Sequence, residues 1–213
     1  MILEKALNNS ELWMRSGINI IDDLSFDTSK RLQLSVSLLM HSIDIHSAIH
    51  TLVKFGVVGP AYALVRPQLE AYVRGSWFAR CASDDQISSF IAGKEPPKIN
   101  ELISDIKNVC PELGNSLEKC KNKLWKKLND LTHGGIIQVK GRCTATEIKQ
   151  NFTKQDIANL LTSVATMSFC ASKELAEVTN NQSVIEKLCS NYGQIFVEYL
   201  NFAENNLTKV KDL

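Results

Sequence analysis

From Ile157 to Val178 the small and apolar residues recur at steps of three and four: Ile157, Leu160, Val164, Ser168, Ala171, Leu175 and Val178. Val184, Leu188, Tyr192, Ile195, Tyr199 and Phe202 repeat the pattern. Side chains three and four apart share one face of a helix, whereas a strand requires alternation. The intervening "TNNQS" is short enough to join the two helices as an antiparallel hairpin. With only ten glycines and five prolines in 213 residues, few positions interrupt such helices. An all-α fold follows.

The rest of the chain reads the same way. "DTSKRLQLSVSLLMHSIDIHSAIHTLVKFG" predicts a helix of about eight turns, capped near Asp27 or Thr28 and ended by Gly56. "VVGPAYALVRPQ" restarts a helix, with Pro60 in its first turn. A helix from Asp84 to Ala92 is entered through "SDD", and another from Ile99 to Val109 turns Leu102, Ile103 and Ile106 inward. Pro111 and Gly114 separate the latter from a lysine-rich helix, "NSLEKCKNKLWKKLNDLTH", closed by Gly134 and Gly135. Residues 134–152 are the least helical and read as an extended connection or a short hairpin. The expectation is one domain over 1–213, an antiparallel bundle of six to eight helices with its core at 28–205.

Hydrophobic residues at 44% and charged residues at 22% are ordinary for a globular protein, and a net charge of +1 gives no global pull towards nucleic acid or membrane. The six cysteines form no C-x-x-C and no zinc-finger spacing. Cys170 and Cys189 in particular read as small buried hydrophobes, in keeping with a reducing compartment. "MILEKALNNSELWMRSG" has no signal-peptide h-region, and no run reaches the ~18 apolar residues of a membrane span. A soluble cytoplasmic protein without membrane contact is expected. There is no Gly-rich phosphate loop, no G-x-S-x-G and no evident Cys–His motif, so no cofactor is expected.

"ALVRPQLEAYVRGSWFARCA", residues 63–82, departs from an ordinary helix. Leu64, Gln68, Ala71, Gly75, Ala79 and Ala82 make a mostly small face that admits a close neighbour, while Tyr62, Leu69, Val73 and Trp77 interleave with Arg66, Glu70 and Arg74. Charges flanked by large apolar groups must be paired or costly. The i,i+4 spacings let Glu70 bridge Arg66 and Arg74. Pro67 removes one helical bond and crowds the carbonyl of residue 63, so a kink is expected there. The competing reading is a solvated surface ladder with a tolerated proline.

This stretch, with "LWKKLNDLTHGGIIQVKGR" further on, resembles a bacterial family of unknown function near the HEPN-like superfamily (higher eukaryotes and prokaryotes nucleotide-binding). The resemblance spans residues 30 to 205, and rests on the arginine and glutamate of "VRPQLEAYVRG" and the "THGG" helix end. It implies an antiparallel helical bundle, a homodimer and metal-independent RNA cleavage. It also implies a toxin or phage-defence setting, with an antitoxin or defence-system partner. The superfamily signature, an arginine followed four to six residues later by a histidine, does not occur here. The arginines are Arg15, Arg31, Arg66, Arg74, Arg80 and Arg142, and the histidines are His41, His46, His50 and His133.

Arg66 and His133 from separate helices would supply the same chemistry. RNA cleavage needs a base for the 2′-OH proton and a cation for the phosphorane-like transition state. His133, at a helix C-terminus, is read either as that base or as a cap before Gly134. Lys119, Lys123, Lys126 and Lys127 share a helix face in a segment, 114–142, with seven basic and two acidic residues. That face would follow a phosphate backbone, or be simply a solvated surface. His46 and His50 stand at metal-sharing H-x-x-x-H spacing, but no adjacent carboxylate completes a motif. Two buried, hydrogen-bonded histidines are the competing reading.

The reading is therefore a HEPN-like protein that binds or cleaves RNA, with Arg66, Glu70, Arg74 and His133 as its site. The alternative is a non-catalytic interaction module. There, Arg66, Glu70 and Arg74 specify helix packing and the last two stripes pair two copies of the chain.

Overall fold

The computed structural model describes residues 2–22, 24–26 and 28–197. Ten helices follow one another: α1 (Ile2–Ile21), α2 (Lys30–Lys54), α3 (Val58–Ala63), α4 (Val65–Arg80), α5 (Asp84–Ile91), α6 (Ile99–Val109), α7 (Pro111–Thr132), α8 (Ile136–Lys140), α9 (Lys154–Val178) and α10 (Gln182–Ile195). The described chain is all-α, as expected, with more and shorter helices than the six to eight anticipated. Among the described residues no helix is long and apolar enough to cross a membrane.

The centre of the bundle is α2 laid against α4, with α9 against both, α1 packed on α9 and α2, and α10 on α1 and α9. Ser29 caps α2 through Leu32 N, and Gly56 follows the helix at φ +75°. Asp27, one of the two expected caps, lies outside the described residues, as do Tyr199 and Phe202. Capping boxes open α5 (Ser83 with Gln86) and α9 (Thr153 with Asp156).

The small face of α4 does admit its neighbour. A Cβ on Gly75 would stand 2.8 Å from Leu39 Cγ, and Ser35 Oγ donates to Gly75 O at 2.9 Å. Gln68 donates to Ser42 O and Val164 O, tying α4 to α2 and α9 at once. On other faces Trp77 donates to Asp105 at 2.9 Å, and Arg80 grips the buried Glu174 with two nitrogens at 2.6 and 3.1 Å. Glu177 takes a third bond from Arg80 at 2.6 Å and also pairs with Lys173. These bonds, led by those to Glu174, raise the Arg80 guanidinium above its already high range.

Four expectations change. The core begins at α1 rather than at residue 28: Trp13 is fully buried, edge-on to Phe169 and Tyr192. Gly114 lies inside α7, where a Cβ would come within 2.2 Å of Lys107 Cα, so it sets the close approach of α6 and α7 instead of separating them. Pro111 is the first residue of α7, where its missing N–H costs nothing. Residues 134–152 divide into the five-residue α8 and a tight loop closed by an isolated antiparallel bridge, Cys143 to Ile148. Of the two cysteines read as buried, Cys189 is exposed, because it falls on the outer side of α10, and Cys170 is partly buried.

Candidate functional site

The kink expected at Pro67 is a break. The chain leaves α3 at Ala63, passes through Leu64 and enters α4 at Val65, so Pro67 sits in the first turn of a new helix. The Ala63 carbonyl, whose helical i+4 donor is missing because Pro67 has no N–H, lies 3.4 Å from the Thr132 hydroxyl of α7. The break thus places the start of α4 beside the end of α7.

Arg66 crosses that junction. Its Nε donates to Glu70 Oε1 at 2.7 Å, its Nη1 donates to His133 Nε2 at 2.7 Å, and its guanidinium lies 4.8 Å from the centre of the Trp125 ring. Arg74 Nη2 stands 3.7 Å from Glu70 Oε2, so one carboxylate bridges two guanidinium groups. The side chains of Arg66 and Glu70 are each 22% exposed and that of Arg74 35%. The group is neither a solvated ladder nor a sealed interior network: it lies half-buried at the surface.

His133 is the C-cap of α7, with Gly134 beyond it at φ +71°. Cap and arginine partner are therefore the same residue. Arginine has no acceptor, so the Arg66 bond requires an unprotonated Nε2 and puts the ring proton of His133 on Nδ1.

Lys119, Lys123, Lys126 and Lys127 are all exposed along α7. None is within ion-pair distance of a carboxylate among the described residues. Lys126 and His133, seven residues apart, fall on one face of that helix. The lysine surface and the Arg66–His133 pair are thus continuous along α7. Trp125 carries no site signal in the sequence. Its position under Arg66 depends on how α7 crosses α4, which periodicity does not encode.

His46 and His50 do not point towards a shared third metal ligand. Both bond to Ser10 Oγ of α1, His46 Nε2 at 2.9 Å and His50 Nδ1 at 3.0 Å, and all three residues are buried. Ser10 Oγ thus links the two rings, and among the described residues their other nitrogens, His46 Nδ1 and His50 Nε2, are buried without a hydrogen bond, His50 Nε2 lying 4.0 Å from Glu11 Oε2. Burial holds the His46 pKa down to about 3, helped by the neighbouring His50, and burial also lowers His50. Among the described residues no group of three or more His, Cys, Asp or Glu is placed to hold a metal ion.

The fold and site define an all-α helical bundle carrying a half-exposed arginine–histidine pair. The chain belongs to the family of unknown function DUF6988, whose model matches residues 39–198. That span holds Arg66, Glu70, Arg74 and His133 and leaves Ser10 outside. No curated protein and no solved structure gives a significant match.

Proposed function

We propose that the Arg66–His133 pair is the reactive centre of a HEPN-like, metal-independent endoribonuclease acting on single-stranded RNA. One observation carries the reading: a 2.7 Å contact joins an arginine and a histidine 67 residues apart in sequence, at a half-exposed junction beside an exposed lysine surface. The superfamily's adjacent arginine and histidine are replaced by a pair that meets only in space. Lys119, Lys123, Lys126 and Lys127 carry the RNA backbone. The scissile phosphate draws the Arg66 guanidinium away from His133, which frees the Nε2 lone pair. Nε2 then takes the ribose 2′-OH proton, the 2′-oxygen attacks phosphorus, and the bond to the 5′-oxygen breaks. The products are a 2′,3′-cyclic phosphate and a 5′-hydroxyl, whose proton comes from water. Arg66 and Arg74 neutralise the developing charge, and Glu70 holds Arg66 through Nε.

A toxin-like or phage-defence role in a bacterial cytoplasm, with an antitoxin or defence-system protein as partner, belongs to the same proposal. A homodimer would need a surface other than the α9 and α10 stripes, whose described members pack largely within the chain's own core. The test is expression of the wild type beside Arg66→Ala and His133→Ala, reading growth and total RNA integrity. Degraded RNA in the wild type alone supports the reading.

A second reading rests on the engagement of Arg66 on three sides, by Glu70, His133 and Trp125. In that reading the group specifies helix packing in a non-catalytic interaction module. Intact RNA in all three strains, with a lowered melting temperature for Arg66→Ala, would favour it.

A further inference from the structure

A cavity of about 230 Å³ opens between α7, α8, the Tyr62 end of α3 and the start of α9, beside the lysine surface. This is below the ~300–1,000 Å³ typical of sites for drug-sized ligands and cofactors, and suits a smaller planar ligand. Tyr62 and Phe152 stack in its wall, with ring centres 4.8 Å apart and planes 26° apart. Tyr62 is fixed by the bond from its hydroxyl to Asp156 O at 2.8 Å, and Phe152 is only partly covered. Gly141 has φ −68°, which any residue adopts, yet a Cβ there would lie 2.3 Å from Phe152 Cζ. Glycine at 141 therefore serves the position of the Phe152 ring, not the backbone.

The polar lining is placed around that ring. Lys127 and Lys140 are exposed at the rim, and Asn151 is held there by its backbone bond to Gly141 O at 3.0 Å. Asp156 takes both of its capping bonds from Thr153 on Oδ2, so the capping box does not use Oδ1. An aromatic wall, a carboxylate oxygen and two rim ammonium groups match the three parts of a nucleotide. They suit a π face, a base edge carrying N–H donors, and phosphates on either side.

We infer that this cavity is a base-reading subsite for one nucleotide of single-stranded RNA, with preference for guanine. The inference rests on the RNA reading proposed above and names what that site selects. Guanine is the base that presents adjacent N1–H and N2–H donors to a carboxylate. Lys127 belongs both to the lysine surface and to the rim, so a strand following α7 arrives at the cavity. Tyr62 and Arg66 flank the same α3–α4 junction, and Leu131, two residues before His133, also lines the cavity, so the bound base lies close to the reacting pair.

The test uses the full chain labelled with ¹³C in its aromatic rings. It is titrated with guanosine 5′-monophosphate and with RNA hexamers of each base, for wild type, Phe152→Leu and Asp156→Asn, with folding checked by circular dichroism. The expected result is movement of the Phe152 and Tyr62 signals and tightest binding of the G hexamer. Phe152→Leu, which keeps an apolar group but loses the π face, weakens that binding about 5- to 150-fold. Asp156→Asn removes the preference for G. Hexamers that bind equally well with unmoved ring signals would overturn the subsite and leave the RNA reading standing. Ring signals moved by the mononucleotide alone would mean that free nucleotides are the ligand, overturning RNA as its source. Binding of neither would sink both.

Discussion

Acidification should weaken this fold through His46. In the folded chain His46 is fully buried and resists protonation down to about pH 3, whereas in the unfolded chain it titrates near 6.5. Below pH 6.5 the unfolded state therefore binds the proton first. Stability is complete above that pH and falls as the pH drops towards 3. Each pH unit of the gap is worth about 1.4 kcal/mol, so at pH 5 the His46 contribution alone is a loss of about 2 kcal/mol. His50 acts in the same direction, its burial lowering its affinity for the proton, with Lys54 adding to that and Glu11 opposing it. Glu4, Glu11 and Glu118 have pKa values lowered from 4.5, so their losses fall below this window. Urea unfolding of wild type and His46→Gln at pH 7.5 and 5.0 measures the effect, because the remaining titratable groups are common to both proteins. The wild type should lose about 2 kcal/mol more than the variant across that interval. Equal losses in the two proteins would refute the reasoning.

Gly75→Ala should destabilise the bundle by about 1–2 kcal/mol, overpacking against Leu39 outweighing the gain in helix propensity, as read from thermal unfolding. Glu174→Ala strips the buried partner from Arg80 and should cost about 3 kcal/mol, at the lower end for a broken buried pair because Glu177 remains. An unchanged urea midpoint in that variant would mean that Glu177 suffices. If the lysine surface binds RNA, Lys123→Ala with Lys126→Ala should weaken binding equally across sequences and flatten its salt dependence by about two counterions, measured by fluorescence polarisation.

Much of this was legible in the chain. The two closing stripes, the 99–109 helix and the small face around Gly75 follow directly from spacing, because periodicity reports which face a helix buries. The pairing of Glu70 with Arg66 and Arg74 was equally accessible, since i,i+4 geometry is local. Helix α1 was not. Its Leu3, Leu7, Ile18 and Ile20 pack against the core, but of its four buried positions, Ser10, Trp13, Gly17 and Ile21, two carry no hydrophobic signal. Ser10 is inward because two histidines of α2 need its hydroxyl, a reason that lies 36 and 40 residues away. The contacts of Trp125 with Arg66 and of Phe152 with Tyr62 are likewise long-range, set by the crossing of α7 and by the loop after α8. Arg66 and His133 were named from the resemblance and from their chemistry, whereas their contact, across 67 residues, depends on how the end of α7 meets the start of α4.

Incubation of the purified protein with single-stranded RNA in the presence of EDTA tests the central claim most directly, reading 2′,3′-cyclic phosphate ends for wild type and for a folded His133→Ala variant. The account predicts cyclic-phosphate ends from the wild type, with a rate lowered about 10²- to 10⁴-fold by the substitution. RNA left intact by the wild type, or cleaved equally by both proteins, would contradict it.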